Sequence, residues 1–293
     1  MEAAYYKRLE DDMVKCQLCT YGCLIAPGEM GRCKCRVNEN GTLIAKTYGE
    51  ISGLTTESLS EMGFHFYPEA DLQMLSISGY GCNMNCPYCA NAHISQGRIH
   101  TEHLSQTSLI ERLKNLKRAA GVEGVCYTFN EPLIWFEHVR DYSAVVHEAG
   151  YLNAMETNGM IHPDAFKELL PRMDLVNIDY KGYTQEFYRD YLEGDLDNVL
   201  ENIRTLAESG VYYEVTCVIV AGQNDDAAGF EAGMAQLADV APEARLNLLA
   251  VVARSAEEVD WVPSEEKMND LLAIAEKYFD EVKIVEREAV PKW

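Results

Sequence analysis

From Leu72 onward, short apolar runs alternate with longer segments in which apolar residues recur every three or four positions. The runs are "MLSISGY" (74–80), "GVCYTF" (124–129), "YLNAMET" (151–157), "DLVNIDY" (174–180), "YYEVTCVIV" (212–220), "RLNLLAVV" (245–252) and "EVKIVE" (281–286). They are too short for helices and rich in β-branched and aromatic residues, so they predict strands. Between them, "TSLIERLKNLKRAAG", "IWFEHVRDYSAVVHEAG", "HPDAFKELLPR", "LDNVLENIRTLAESG", "AAGFEAGMAQLADVA" and "EEKMNDLLAIAEKYFD" carry a helical period, and several stop at glycine. This alternation predicts repeated βαβ units with right-handed crossovers, hence an α/β fold: a partial (β/α)6 TIM-like barrel of parallel strands. In such a fold the chemistry lies at the C-terminal ends of the strands. Residues 1–70 read differently, as a short charged helix followed by a Cys- and Gly-rich stretch with the turn signal "NENG". Two units are therefore expected, a Cys-rich metal-binding module at 1–70 and a core barrel at 71–293.

Charge narrows the partners. Asp and Glu number 47 against 25 Lys and Arg, a net charge of -22, which opposes attraction to nucleic acid and to anionic membranes. No stretch approaches the roughly 20 apolar residues of a membrane span. The opening "MEAAYYKRLEDDMVK" lacks the apolar run of a secretory signal, so a cytoplasmic location is expected. There cysteines stay reduced, and ten of them, mostly in two clusters, point to metal ligation rather than disulfides.

The sharper cluster is "GYGCNMNCPYCANAHIS", where Cys82, Cys86 and Cys89 follow the first barrel strand with the spacing CxxxCxxC. Core filling fits poorly, since the intervening Asn83, Asn85 and Tyr88 are polar or semi-polar. A structural zinc wants four protein ligands, and His93 could supply the fourth. A four-iron cluster on three thiolates instead leaves one iron open to a small molecule. At the end of the second strand, Thr128, Asn130 and Glu131 of "YTFNEP" offer an acceptor for an ammonium and donors for a carboxylate, and they equally suit a capped turn with Pro132 opening a helix. The N-terminal group, Cys16, Cys19, Cys23 and Cys33, has enough thiolates for a closed zinc site or a further iron-sulfur cluster. Structural metal is the first choice, because a small module with little apolar material needs a staple. Cys35 is a fifth thiol beside it, a spare, an alternative ligand or a reactive group. Cys126 and Cys217 lie inside strands and are expected to pack, as is His65 among its aromatic neighbours.

These motifs resemble the radical S-adenosylmethionine superfamily, which carries CxxxCxxC with an aromatic residue, here Tyr88, before the last cysteine. The ordered series "CQLCTYGC", "GEMGRC", "YGEISGL", "GCNMNCPYCANAHISQ", "YTFNEPLIWFEH", "TNGMI" and "NIDYKGYTQEFYRD" is similar to the radical enzymes of the AmmeMemoRadiSam system, relatives of pyruvate formate-lyase activating enzyme and other glycyl-radical activating enzymes. The resemblance implies a 4Fe-4S cluster on Cys82, Cys86 and Cys89, with S-adenosylmethionine chelating the open iron and cleaved to methionine and a 5'-deoxyadenosyl radical. It further implies that Thr128, Asn130 and Glu131 hold the methionine amino group, that Asn158 lies near the ribose and Lys181 near the carboxylate, and that Val220 helps form the adenine pocket. Glu156, Thr157 and Asp179 would surround a monovalent cation. Lys181 is a point charge suited to a carboxylate, and Glu156 with Asp179 makes a hard-oxygen site.

Three positions depart from the family pattern. Glu156 stands where an Asp is usual, Ala221 replaces the proline of "PGxND", and "NLLAVVARSAEEVD" replaces a histidine-containing segment. The function expected on these grounds is hydrogen abstraction from a protein or peptide, with ferredoxin or flavodoxin as electron donor. The alternative is a non-catalytic scaffold with zinc in both clusters.

Overall fold

The computed structural model describes residues 1–97 and 99–286. Its centre is an eight-stranded sheet whose spatial order follows the chain. The strands are β1 (Gly53–Ser58), β2 (Gln73–Ser78), β3 (Gly124–Tyr127), β4 (Leu152–Thr157), β5 (Leu175–Asp179), β6 (Tyr212–Ile219), β7 (Arg245–Ala250) and β8 (Val282–Val285). Every neighbouring pair is parallel except β1 with β2. The strands predicted from the apolar runs are all present, and they form the wall of an open, TIM-like barrel with β1 and β8 at its edges.

Crossovers are made by α1 (Gln106–Ala120), α2 (Phe136–Glu148), α3 (Pro163–Leu169), α4 (Leu196–Ser209), α5 (Ala227–Val240) and α6 (Glu265–Ala275). Each lays an apolar stripe on the sheet. On α4 the buried Leu196, Val199, Leu200, Ile203 and Leu206 keep helical spacing, and full burial of each such side chain stabilises by about 1.5–3 kcal/mol. Ser105, Asp195, Asp226 and Ser264 accept backbone N–H groups at helix starts, so these boundaries are set locally. No helix among the described residues is long and apolar enough to cross a membrane.

Two N-terminal features differ from expectation. In place of a charged helix, Tyr6–Arg8 and Val14–Cys16 pair antiparallel, and Val14–Cys16 pairs again with Leu24–Ile25. Val14 and Cys16 are buried while Lys15 is exposed, a period of two that a helix cannot satisfy. Left-handed Asp11 and Asp12 turn the chain between them. The second difference is β1 itself, which comes from the segment read as part of the module and runs antiparallel to β2. Residues 59–72 contain no helix, and an antiparallel neighbour needs no crossover.

That 59–72 loop fastens across the sheet. The Gly63 carbonyl accepts Asn177 Nδ2 at 2.6 Å and Asn247 Nδ2 at 2.9 Å. The backbone N–H groups of His65 and Phe66 each donate to Glu214 at 2.9 Å, and Lys283 Nζ donates to the His65 carbonyl at 2.7 Å. A segment leaving β1 thereby reaches β5, β6, β7 and β8. Gly63 has φ +83° and a Cβ there would lie 2.5 Å from Asn177 Nδ2, so only glycine fits.

Candidate functional site

A cavity of about 760 Å³ opens among the strand ends. Cys82, Cys86, Tyr88 and Cys89 form one wall, Thr128, Asn130 and Glu131 follow β3, Glu156, Thr157 and Asn158 end β4, and Asp179 and Lys181 end β5. Residues scattered over a hundred positions thus meet because parallel strands all deliver their C-termini to one side. Val220 is the exception. It is buried outside the lining, its N–H donating to Asn224 Oδ1 at 2.7 Å, and Val218 takes the wall position on β6.

The cysteine loop is held from several directions. The Asn130 side chain accepts from Gly79 N at 3.0 Å and donates to the Gly81 carbonyl at 3.3 Å, so it braces the loop's entry. Asn158 Nδ2 donates to Asn83 Oδ1 at 2.9 Å and lies 3.6 Å from Cys82 Sγ, while Met160 N donates back to Asn158 Oδ1 at 2.8 Å. Arg254 donates to the carbonyls of Pro87 at 2.8 Å and Cys89 at 2.5 Å. Sequence reading missed Arg254, because one arginine 165 residues from its partner leaves no local pattern.

His93 is exposed on the short Ala92–Ser95 helix and does not line the cavity, so it is not a fourth ligand for the loop. Burial pushes the Cys86 thiol up to about 12 and Cys82 well above its ordinary value, with neighbouring negative charge adding to both. Thiols so placed ionise when a metal binds them. Two fully buried polar atoms of lining residues, Tyr88 Oη and Asn91 Oδ1, have no hydrogen-bond partner among the described residues. Three thiols sharing one wall of a large cavity, with no fourth protein ligand among the described residues, suit a three-thiolate iron-sulfur cluster carrying an exogenous ligand.

The polar residues at the strand ends are already linked to one another. Glu131 accepts from Leu133 N at 2.8 Å, Asn158 N at 2.8 Å and Thr157 Oγ1 at 2.7 Å. Burial nevertheless raises its carboxyl to about 7, outweighing those three hydrogen bonds. Lys181 Nζ pairs with Asp179 Oδ2 at 2.7 Å, and Thr128 Oγ1 donates to Glu156. Glu156, Thr157 and Asp179 therefore share the cavity but answer to three different partners. Glu61 and His65 of the 59–72 loop also line it, with Glu57 of β1, Asn177 of β5 and Lys283 of β8; His65 was expected only to pack, and the others carried no motif.

Cys16, Cys19, Cys23 and Cys33 line a second, much smaller void of about 10 Å³ together with Arg36 and Asn83. Arg36 is buried and bonds Glu137 at 2.6 Å, with Ala4 bridging the pair through its N–H to Glu137 and its carbonyl to Arg36. Cys35 is not in this lining; its thiol donates to the carbonyls of Cys33 and Tyr80, each at 3.1 Å. Cys126 and Cys217 are buried within β3 and β6 as expected. Among the described residues, no three Cys, His, Asp or Glu side chains are gathered as ligands of a single ion.

Residues 76–229, slightly more than half of the chain, match the family model of the Radical SAM superfamily. Over 229 residues the chain is 34% identical to an uncharacterized protein of Methanocaldococcus jannaschii, an alignment covering 77% of this chain and 66% of that one. The chain thus spans just under two thirds of that relative's length. A putative glycyl-radical enzyme activating enzyme of the same organism is 25% identical over 220 residues, covering 70% of this chain and 85% of that protein. In fold, the chain is similar to a radical SAM methyltransferase from Sphaerobacter thermophilus, with a TM-score of 0.60 at 16% identity over 75% of this chain and 67% of that one. The matched segment contains the three-cysteine loop and the strand ends that face it, and the chain belongs to the Radical SAM superfamily.

Proposed function

We propose that this chain reductively cleaves S-adenosylmethionine and directs the resulting radical at a hydrogen atom of a protein or peptide, in the manner of a glycyl-radical activating enzyme. The observation that carries the reading is the three-thiol wall, without a fourth protein ligand among the described residues, opening on a cavity of about 760 Å³ lined by complementary polar groups. Superfamily membership implies a four-iron, four-sulfur cluster and S-adenosylmethionine. When bound, they supply an electron to the sulfonium and a 5'-deoxyadenosyl radical that abstracts hydrogen.

The chain's own residues hold and orient. Cys82, Cys86 and Cys89 bind the cluster. Glu131, buried and fixed by three hydrogen bonds, accepts from the ammonium of the methionine moiety, aided by Thr128. Lys181, which Asp179 already positions, pairs with the carboxylate. Asn158 stays beside Cys82 and presents its amide towards the ribose. Tyr88 closes the cavity beside the loop and keeps water away, because its ring is buried against Tyr191 with centroids 6.3 Å apart. Electrons come from ferredoxin or flavodoxin.

A protein or peptide target is supported by the similarity to a putative activating enzyme. The test is anaerobic reconstitution of the full chain, followed by reduction with S-adenosylmethionine present. The expected result is 5'-deoxyadenosine at many times the rate of the Cys86→Ser variant; an iron-loaded chain forming none overturns the reading. With deuterated extracts from the same source, label enters 5'-deoxyadenosine and the donor is destroyed by protease. A protease-resistant donor overturns the macromolecular part.

A further inference from the structure

Arg254 joins two parts of the barrel that the sheet leaves apart. It follows β7, near one open edge, whereas the loop of Cys82, Cys86 and Cys89 follows β2, near the other. Its Nη1 donates to the Cys89 carbonyl at 2.5 Å and its Nη2 to the Pro87 carbonyl at 2.8 Å. Glu258 holds the other edge of the guanidinium, with Nε 2.9 Å from Oε2 and 3.1 Å from Oε1, and it also accepts the Arg254 backbone N–H at 2.9 Å. The fork is thus divided between a carboxylate and two peptide carbonyls. Its base is fixed as well, since Val251 N donates to the Ile219 carbonyl at 2.9 Å and Ala221 N to the Trp261 carbonyl at 2.8 Å. The end of β6 therefore anchors both ends of the segment that carries Arg254 and Glu258.

We propose that Arg254 is a positioning residue for the three-cysteine loop and that, together with Glu258, it sets the electrostatic surroundings of the group those thiols bind. The second part rests on the cluster of the proposed function, whereas the positioning of the loop does not. Pinning a carbonyl also orients the amide that follows, because C=O and N–H of a trans peptide point in opposite directions. The amides of Tyr88 and Ala90, both residues of the cavity lining, are therefore directed away from Arg254. Hydrogen bonds to sulfur and local net charge are what tune an iron-sulfur potential. Arg254 sets a positive charge on the peptide that carries Cys89, and Glu258 offsets part of it. Their side chains are only 30% and 15% exposed, so water and salt screen them incompletely.

Two measurements on the full chain separate the two roles. Within the loop, Cys89 N donates to the Cys86 carbonyl at 3.1 Å and Ala92 N to the Cys89 carbonyl at 3.2 Å, so its amides report its order by hydrogen exchange. In the metal-free chain, Arg254→Met removes both loop contacts, and exchange across residues 86–92 is expected to quicken about tenfold. Arg254→Lys, which keeps a charged donor, should recover part of the protection. Unchanged exchange in Arg254→Met overturns the positioning role, whatever metal the chain takes up. After anaerobic reconstitution, the midpoint potential is followed on the electron paramagnetic resonance signal that Cys86→Ser abolishes. Arg254→Met should shift it to more negative values and Glu258→Gln, which removes the opposite charge, to more positive ones. A loosened loop alone would move both variants the same way, so shifts of one sign, or no shift, overturn the electrostatic role. A wild-type chain that forms no such signal overturns the cluster reading and the electrostatic role with it, while the exchange result still decides the positioning.

Discussion

Two groups of cysteines meet where Gly81 and Asn83 flank Cys82, and they differ in both thiol count and room. Three thiols face about 760 Å³; four surround about 10 Å³. The open group is completed by a molecule from outside and is built around strand ends whose polar groups can orient it. The closed group has four thiols, and a buried ion pair, Arg36 with Glu137, lies against it. Ligand number and free space are thus set together.

The largest effect should come from removing a thiol on the open side. Cys86→Ser is expected to lower 5'-deoxyadenosine formation by more than a hundredfold, measured by chromatography. Next comes the closed side. Glu137→Gln leaves the Arg36 guanidinium buried without its counter-charge, a loss of about 3–5 kcal/mol. Chemical denaturation measures it. Replacing both, as Arg36→Met with Glu137→Leu, should cost less than the single change.

Electrostatics of the open side comes third. The Glu131 carboxyl is raised by burial to about 7 from an ordinary 4.5, so the folded chain binds a proton that the unfolded chain releases between these values. Its contribution is fully present below the unfolded value and fades as pH climbs through about 7, so the metal-free chain loses stability across that window. In Glu131→Gln that loss shrinks by roughly 3 kcal/mol, seen as a flatter denaturation midpoint against pH. The smallest effect is at Lys181. Lys181→Gln removes one charge-assisted contact and should weaken S-adenosylmethionine binding by about tenfold, read by calorimetry on the reconstituted chain. Iron content should not change, because Lys181 bonds Asp179 and Tyr188 rather than the cysteine loop.

Much of the barrel was legible along the chain. Each strand from β2 to β8 is an apolar run bounded by a helical period or glycine, and the helices carry their own caps, so local chemistry states where they start and stop. The loop of Cys82, Cys86 and Cys89 and the strand-end residues Thr128, Asn130, Glu131, Asn158 and Lys181 could be placed on one face because parallel strands have only one C-terminal side. Val220 escaped that logic, since it lies one residue past β6, where alternation no longer states which way a side chain turns. The first strands escaped it too: "YYKRLEDDMVK" has charges enough for a surface helix, and only the burial of Val14 and Cys16 beneath other segments makes it a sheet.

By itself, then, the sequence determined the α/β order, the face on which the site lies, and the identity of the thiols, because each depends on periodicity or spacing within a few residues. Tertiary structure alone decided which distant groups complete the site. It brings the 59–72 loop under the barrel, sets Arg254 on the carbonyls of the cysteine loop, turns His93 out to solvent, and gives one cysteine group a cavity and the other only a void. Those outcomes depend on contacts between segments a hundred or more residues apart, where packing volume and hydrogen-bond satisfaction decide and no local pattern reports the result.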